Sequence, residues 1–221
     1  MDDPWAAVAE DRQVFAALLA SLSPAEWDAS SCCAPWTNRE VAGHVLSMAT
    51  VAKGAALRTY LAAGCDLDAT NARLLTATIA GRTDGEIVDA LREHAPSHHA
   101  PPGLKPLGVL GELVTHLADV AHAAGRPVEL PEEHLTATLA YLARRVKGNT
   151  RFTLTRHGRR PVLDCHDRVE GVHLRATDVD WTHGSGPLVE GPALALVLAM
   201  TGRPAALDAL TGAGVALLRS R

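Results

Sequence analysis

Residues 35–49 read PWTNREVAGHVLSMA, and their reading decides the first part of the fold. Thr37-Asn38-Arg39-Glu40 has the form of a capping box. In such a box the Thr hydroxyl accepts from the amide three residues on, while the Glu side chain reaches back to the Thr amide. The helix opened this way is expected to run to about Ala63, where Gly64 stops it, with Val41, Val45, Met48 and Val51 on one side. His44 falls on that same side, which puts an imidazole on the inward stripe. A lone imidazole in a core needs a hydrogen-bond partner, so its presence there asks for a reason.

Upstream, Pro4 to about Leu22 carries Val8, Phe15, Leu18, Leu19 and Leu22 at helical spacing, and Ser23-Pro24-Ala25-Glu26 starts a short helical turn. Ala34-Pro35-Trp36 then interrupts. Downstream, helices are expected at about Ala69–Ala80 and, behind a second box at Thr83, at about Asp84–His94. The Pro-rich stretch APSHHAPPGLKP (95–106) separates these from a helix at about Leu107–Ala124, which Gly125-Arg126-Pro127 ends. Pro131 stands at the first position of another helix, whose buried stripe is Leu135, Leu139, Leu142 and Val146. Short connections of this kind suit an antiparallel bundle.

After Gly148 the period changes to two. Strands are expected in RFTLTR (151–156), PVLDC (161–165) and VHLRAT (172–177), with His157-Gly158-Arg159-Arg160 as a hairpin turn. A hydrophobic helix at about Glu190–Thr201 and a short one at about Pro204–Leu210 complete the pattern. The fold class read from this is α+β: a helical bundle over 1–148 and a small α+β domain over 149–221. The second part has too few residues for a robust core of its own and is expected to pack on the bundle.

Composition narrows the function classes. The 221 residues are 47% hydrophobic and 21% charged, with a net charge of −4, so a core is available and a nucleic-acid grip has no electrostatic footing. Aromatics are only 4%, so Ala, Leu and Val must build the interior. The longest strongly apolar stretch, Ala193–Met200, falls well short of the about 20 residues that span a bilayer. The segment MDDPWAAVAEDRQ has neither a basic n-region nor a small-residue cleavage site, which makes the cytoplasm the expected compartment. In a reducing compartment Cys32, Cys33, Cys65 and Cys165 read as free, buried or half-buried thiols. Arg outnumbers Lys 18 to 3 and alanine is abundant, which points to a GC-rich genome.

Glu112 and His116, in GELVTHLAD, are four residues apart and so project from adjacent turns of one helix face. With the inward His44 they make a His₂Glu set from two helices. Catalytic zinc sites use that arrangement and leave one position open for water or substrate, whereas an exposed Glu–His pair is an ordinary surface feature. Asp119, one turn beyond His116, is placed to orient a ligand imidazole through its other ring nitrogen. Several other residues have plainer readings. His98 and His99 are expected to be exposed loop histidines, His122 a surface residue, and Arg159-Arg160 a solvated turn. Cys32 and Cys33 have no base nearby in sequence to make a nucleophile. Arg203, in TGRPAAL, is either a solvated helix-terminal residue or an anion clamp.

PWTNREVAGHVLSMA, preceded by LSPAEWDASSC, resembles the opening of the mycothiol-dependent maleylpyruvate isomerase family, whose members are DinB-like. GELVTHLADVAHAAGRP resembles the family's second signature, and the stretch from Val179 to Leu218 is similar to its C-terminal domain. The resemblance implies an N-terminal DinB-like four-helix bundle with an extra helix. It implies metal ligation by His44, Glu112 and His116, and a role in activity for Arg203, expected at the mouth of the site on an anionic group. It also implies a divalent metal, most readily zinc, with mycothiol as cosubstrate; nickel or manganese suits the same His₂Glu donors, and the Arg-rich composition fits an actinobacterial source.

The activity implied is thiolate addition to an electrophile, as an S-transferase or as a maleylpyruvate isomerase, with the general S-transferase activity asking less of the pocket. Partners would be a low-molecular-weight thiol and a small electrophile, with no nucleic acid or membrane, in a monomer or homodimer. Two other readings stay open: a non-catalytic, metal-stabilised binding or regulatory protein, and a zinc-dependent hydrolase with Asp119 as its base.

Overall fold

The structure, a computed structural model, describes residues 1, 3–144, 152–155, 158–161 and 165–221, with backbone alone for 152–155 and 158–161. Helix α1 (Pro4–Ala20) starts from Asp3, whose side chain accepts from the Trp5 amide. The short α2 (Pro24–Trp27) and the longer α3 (Asn38–Thr50) both open on complete capping boxes, Ser23 with Glu26 and Thr37 with Glu40. Such a cap is worth about 1 kcal/mol, and here it fixes where α3 begins and hence which way His44 faces. Then come α4 (Lys53–Ala62), α5 (Leu67–Ile79), α6 (Asp84–Glu93, boxed by Thr83 and Glu86), α7 (Pro106–Ala124) and α8 (Glu132–Leu142).

One helix was expected between residues 38 and 63, and two are found. The chain turns extended at Val51 (φ −75, ψ 117), which frees the carbonyls at the end of α3. The Pro-rich connection takes them up: Ser97 Oγ donates to Ala49 O at 3.2 Å, and His99 Nε2 lies 2.6 Å from Val51 O. Arg12, buried in α1, donates to the carbonyls of His94, Ala95 and Ser97 and holds the same connection from the other side. His99 is therefore a half-buried structural tie rather than an exposed loop histidine. His98 is exposed and stacks on Trp5.

The bundle consists of α1 against α6 and α7, and α3 against α5, α6 and α7, with α8 on the flank of α7. Phe15, Leu19, Val41, Val45, Ile87, Leu91, Leu110, Leu113 and Leu117 are buried to 1% exposure or less and form its centre. Each such side chain contributes about 1.5–3 kcal/mol relative to leaving it in water. Gly43 sets the α3–α5 distance, since a Cβ there would stand 2.6 Å from Ile79 Cγ2. Its neighbour His44 faces the opposite helix, α7.

Strands β1 (Phe152–Thr155) and β2 (Gly158–Pro161) pair antiparallel, Phe152 with Pro161 and Thr155 with Gly158. Gly158, Arg159 and Arg160, expected in the turn, thus lie in the second strand. Cys165, expected in a strand, opens helix α9 (Cys165–Val169). The expected bundle residue Val146, the domain boundary at 148 and His157 fall outside the described residues.

A three-stranded sheet of order β4-β3-β5 follows: β3 (His173–Ala176), β4 (Thr182–Gly184) and β5 (Leu188–Gly191). β3 pairs antiparallel with β4 and parallel with β5. Glu190, expected to start a helix, is instead held in β5 opposite Arg175 and bridged to Thr211. Pro192 accounts for the change. A proline is best placed at the very start of a helix, so α10 runs only from Ala193 to Met200. Asp178 Oδ1 accepts from the Ala193 amide at 2.8 Å. The segment Pro204–Ala209 is a 3₁₀ helix, and α11 (Val215–Arg219), which the pattern did not announce, follows. α10 is buried along nearly its whole length and packs on α7 and α8, as its small share of core requires. No helix among the described residues is long and apolar enough to cross a membrane.

Candidate functional site

α3 and α7 meet with His44 facing His116, their ring centroids 4.9 Å apart and nearly perpendicular. One ligand atom from each of His44, Glu112 and His116 lies within 4.8 Å of the others. His116 Nε2 is 3.6 Å from Glu112 Oε2, too long for a good hydrogen bond. It matches the about 3.5 Å that separates two ligands each about 2.1 Å from one tetrahedral zinc ion. His44 is buried, with its Nδ1 unpartnered, whereas the Glu112 side chain is 49% exposed. The set is thus closed on the bundle side and open on the Glu112 side. Two nitrogens, one carboxylate and an open face form a donor set that fits a divalent cation.

The electrostatics agree with this. Burial, reinforced by the adjoining His116, pushes His44 down to about 3, so its imidazole is neutral at pH 7, the form that ligates metal. Burial would lower His116 too, but the neighbouring Asp119, Cys33 and Glu112 outweigh that and raise it well above the ordinary histidine value. Burial would raise Glu112, yet His116, His44 and Arg203 together hold it below the usual carboxylate range. A positive charge, carried by His116 in the metal-free protein, is what these surroundings favour.

Behind His116 stands a hydrogen-bonded relay. Nδ1 of His116 lies 3.0 Å from Oδ2 of the fully buried Asp119, which holds a proton on Nδ1 and leaves Nε2 as the nitrogen that faces His44 and Glu112. Arg203 then grips Asp119 with a two-pronged fork, Nε to Oδ1 and Nη2 to Oδ2, both at 2.9 Å. Its Nη1 donates to Thr201 O at 2.8 Å, which ties the fork to the end of α10. Burial would raise Asp119, but His116 and Arg203 overcome it and keep the carboxyl ionised below its ordinary range.

The turn between α2 and α3 supplies the remaining wall. Ser31 Oγ donates to Trp36 O and accepts from Cys33 N, while Trp36 N donates to Cys33 O. This turn, with a cis Ala34–Pro35 peptide, sets the Trp36 ring 5.0 Å from His44 and 6.2 Å from His116. It also brings Cys33 Sγ to 3.3 Å from Arg203 Nη2.

Cys33, His116 and Asp119 form a second close group. Its Asp119 oxygens are already taken by His116 and Arg203, so it reads as support for His116. Cys33 and Trp36 are the site neighbours that spacing did not reveal. No local pattern links residue 33 to residues 116 and 203, although the Trp-Thr pair before α3 was part of the family resemblance. None of the four half-buried cysteines forms a disulfide among the described residues, and His122 is exposed.

The bundle thus brings two histidines and a glutamate together at one open-faced centre, backed by a buried Asp–Arg pair, that could hold a divalent cation. Residues 8–103 match the family described as mycothiol maleylpyruvate isomerase N-terminal domain. The matched stretch contains Trp36 and His44 and ends before α7. Two solved structures share its outline: the mycothiol-dependent maleylpyruvate isomerase, with a TM-score of 0.47, and a histidine-to-alanine mutant of it, with 0.46. Each is 17% identical and covers 96% of this chain and 92% of its own. No curated protein matches the chain.

Proposed function

We propose that this chain is a metal-dependent enzyme that uses a low-molecular-weight thiol, mycothiol in the family reading, to isomerise or conjugate a small electrophile. The observation that carries the proposal is the meeting of His44, Glu112 and His116 with His116 Nε2 and Glu112 Oε2 at 3.6 Å. In this reading those three residues hold the cation, with zinc the first candidate and nickel or manganese compatible. A divalent cation bound there supplies the positive charge that lets a thiol ionise at neutral pH.

The chain's own residues do the rest. His44, neutral and buried, contributes a nitrogen without competing for a proton. Asp119 fixes the His116 tautomer, and Arg203 works through Asp119 as a positioning residue, its fork engaged on that carboxylate. Trp36 covers the two imidazoles and limits water on that side. The half-exposed Glu112 marks the side from which thiol and electrophile enter.

For a maleylpyruvate-like substrate, the thiolate sulfur adds to one alkene carbon and the resulting single bond rotates. Elimination then restores the double bond in trans form and releases the thiolate. With an electrophile that cannot eliminate, protonation leaves a stable thioether, which is S-transferase chemistry. In this division of labour residues 1–148 provide the three ligands and 149–221 provide Arg203. The hydrolase reading fares worse, because Asp119, its only candidate base, is locked in an ion pair that holds it ionised.

The test joins metal analysis to a cis–trans isomerisation assay with maleylpyruvate and a panel of thiols. About one equivalent of bound metal is expected, with thiol-dependent turnover that chelation removes and added zinc restores. Turnover indifferent to chelation, or absent with every thiol and electrophile, overturns the proposal. Loss of helical circular dichroism on chelation would favour the non-catalytic, metal-stabilised reading instead.

A further inference from the structure

The C-terminal part of the molecule contains a cavity outside the His44–Glu112–His116 centre. It measures about 250 Å³ and lies among α9, the turn after α10, and α11. Arg168, Arg203, Arg219 and Arg221 all line it, with no Asp or Glu among the lining residues. That is an unusual convergence in a chain whose net charge is −4. The buried Leu207 and Leu218 form part of its wall, so charges inside are less screened than on an open surface.

The arginines are held there by geometry. Arg168 lies half-buried against Gly202, where a Cβ would come within 2.8 Å of Arg168 Nη2. Gly202 has φ +85, so this turn needs glycine both for its backbone and for the guanidinium resting on it. Arg221 Nη1 donates to the backbone carbonyls of Arg168 and Glu170 at 2.6 and 2.8 Å, which fastens this side chain to the end of α9. Among the described residues neither Arg168 nor Arg221 has a carboxylate partner. Arg219 pairs only with Asp208, whose side chain is 81% exposed, and that pair is largely screened. Arg203 forms the inner wall with its fork on Asp119. Positive charges that line one cavity repel one another, and an anion bound among them relieves that repulsion.

We propose that this cavity is a binding site for a small multivalent oxyanion, a phosphate or a polycarboxylate, clamped mainly by Arg168 and Arg221. The site stands whether or not the His44 centre carries metal. Because Arg203 lines the cavity and also grips Asp119, an anion bound here sits one side chain away from the His116 relay.

The test is calorimetric titration of the full chain with inorganic phosphate and, separately, with citrate, at constant ionic strength set by sodium chloride. Saturable one-to-one binding of at least one of them is expected, weakened about tenfold or more in both Arg168→Gln and Arg221→Gln. Preference for phosphate over citrate points to a phosphate-bearing ligand, and the reverse preference to a polycarboxylate. Arg221→Gln, at an exposed position, keeps the test valid if circular dichroism shows that Arg168→Gln is unfolded. His116→Ala is expected to bind the anion as the parent does, which separates this site from the metal centre. Absence of saturation up to about 50 mM, parental affinity in Arg221→Gln, or loss of binding in His116→Ala overturns the proposal.

Discussion

Two histidine–carboxylate pairs lie buried in this bundle and look alike at first sight. His116 Nδ1 meets Asp119 at 3.0 Å with Glu112 beyond its Nε2 at 3.6 Å, and His134 Nδ1 meets Asp11 at 2.8 Å with Glu10 beyond its Nε2 at 3.8 Å. Both aspartates are fully buried. The surroundings differ. Asp119 has Arg203 on both oxygens, and its histidine faces a second histidine under a tryptophan. Among the described residues Asp11 Oδ2 has no hydrogen-bond partner and no second imidazole faces His134, and burial leaves the Asp11 carboxyl raised above its ordinary value. In the proposed function the first pair supports a cation beyond the imidazole, while the other pins α1 to α8. A buried His–Asp contact does not by itself make a site. The groups on the far nitrogen and on the carboxylate decide what it does.

The sharpest way to break this contrast is to remove a proposed ligand. His44→Ala should lower metal affinity by more than the about 10–100-fold typical of losing an outer partner. His134→Ala should leave metal content, measured by atomic absorption, unchanged. Equal metal loss in the two variants would erase the distinction. Asp119→Asn comes next, with affinity expected to fall about 10–100-fold while the helical spectrum stays intact. Arg203→Lys should weaken the same quantity, because an ammonium cannot reproduce the fork. Since both act through one pair, the double variant should fall short of the sum of the singles, and additive losses would mean that Arg203 acts elsewhere.

His134→Ala should instead cost stability, about 1–3 kcal/mol in denaturant unfolding, since it strips the buried Asp11 of its donor. If thiol-dependent turnover fell with it, the structural assignment of that pair would be wrong. The smallest effect concerns pH. Asp11 is raised in the folded state, so it favours folding below its unfolded value of 3.8, and that contribution is lost as pH rises through the folded value. Asp11→Asn should therefore flatten the fall in stability across that acidic window. An unchanged melting profile between pH 3 and 6 would show that burial does not govern this carboxyl.

How much of this was legible in the sequence follows from which forces are local. The capping boxes at Thr37 and Thr83 state where α3 and α6 begin, because donor and acceptor lie three residues apart. Apolar spacing located α1, α7 and α8, and the i, i+4 step put Glu112 and His116 on one face. The break at Val51 was not legible, because its carbonyl is claimed by His99, 48 residues away. β5 was hidden for a similar reason: Leu188–Gly191 becomes a strand only through parallel pairing with β3 and the bridge to Thr211.

The sequence by itself thus determined a helical bundle followed by a smaller α+β part, an inward His44, and a Glu–His pair one turn apart, since helix caps and periodicity act within a few residues. Tertiary structure alone decided that His44 faces His116, that Arg203 reaches across 84 residues to both oxygens of Asp119, and that Cys33 and Trp36 border the same centre. It also gathered Arg168 and Arg221 on opposite sides of the β3–β5 sheet sequence into one cavity. Such contacts depend on how amphipathic faces pack once the chain has closed. Coulomb and hydrogen-bond energies fall off over a few ångströms of space and do not register separation along the chain.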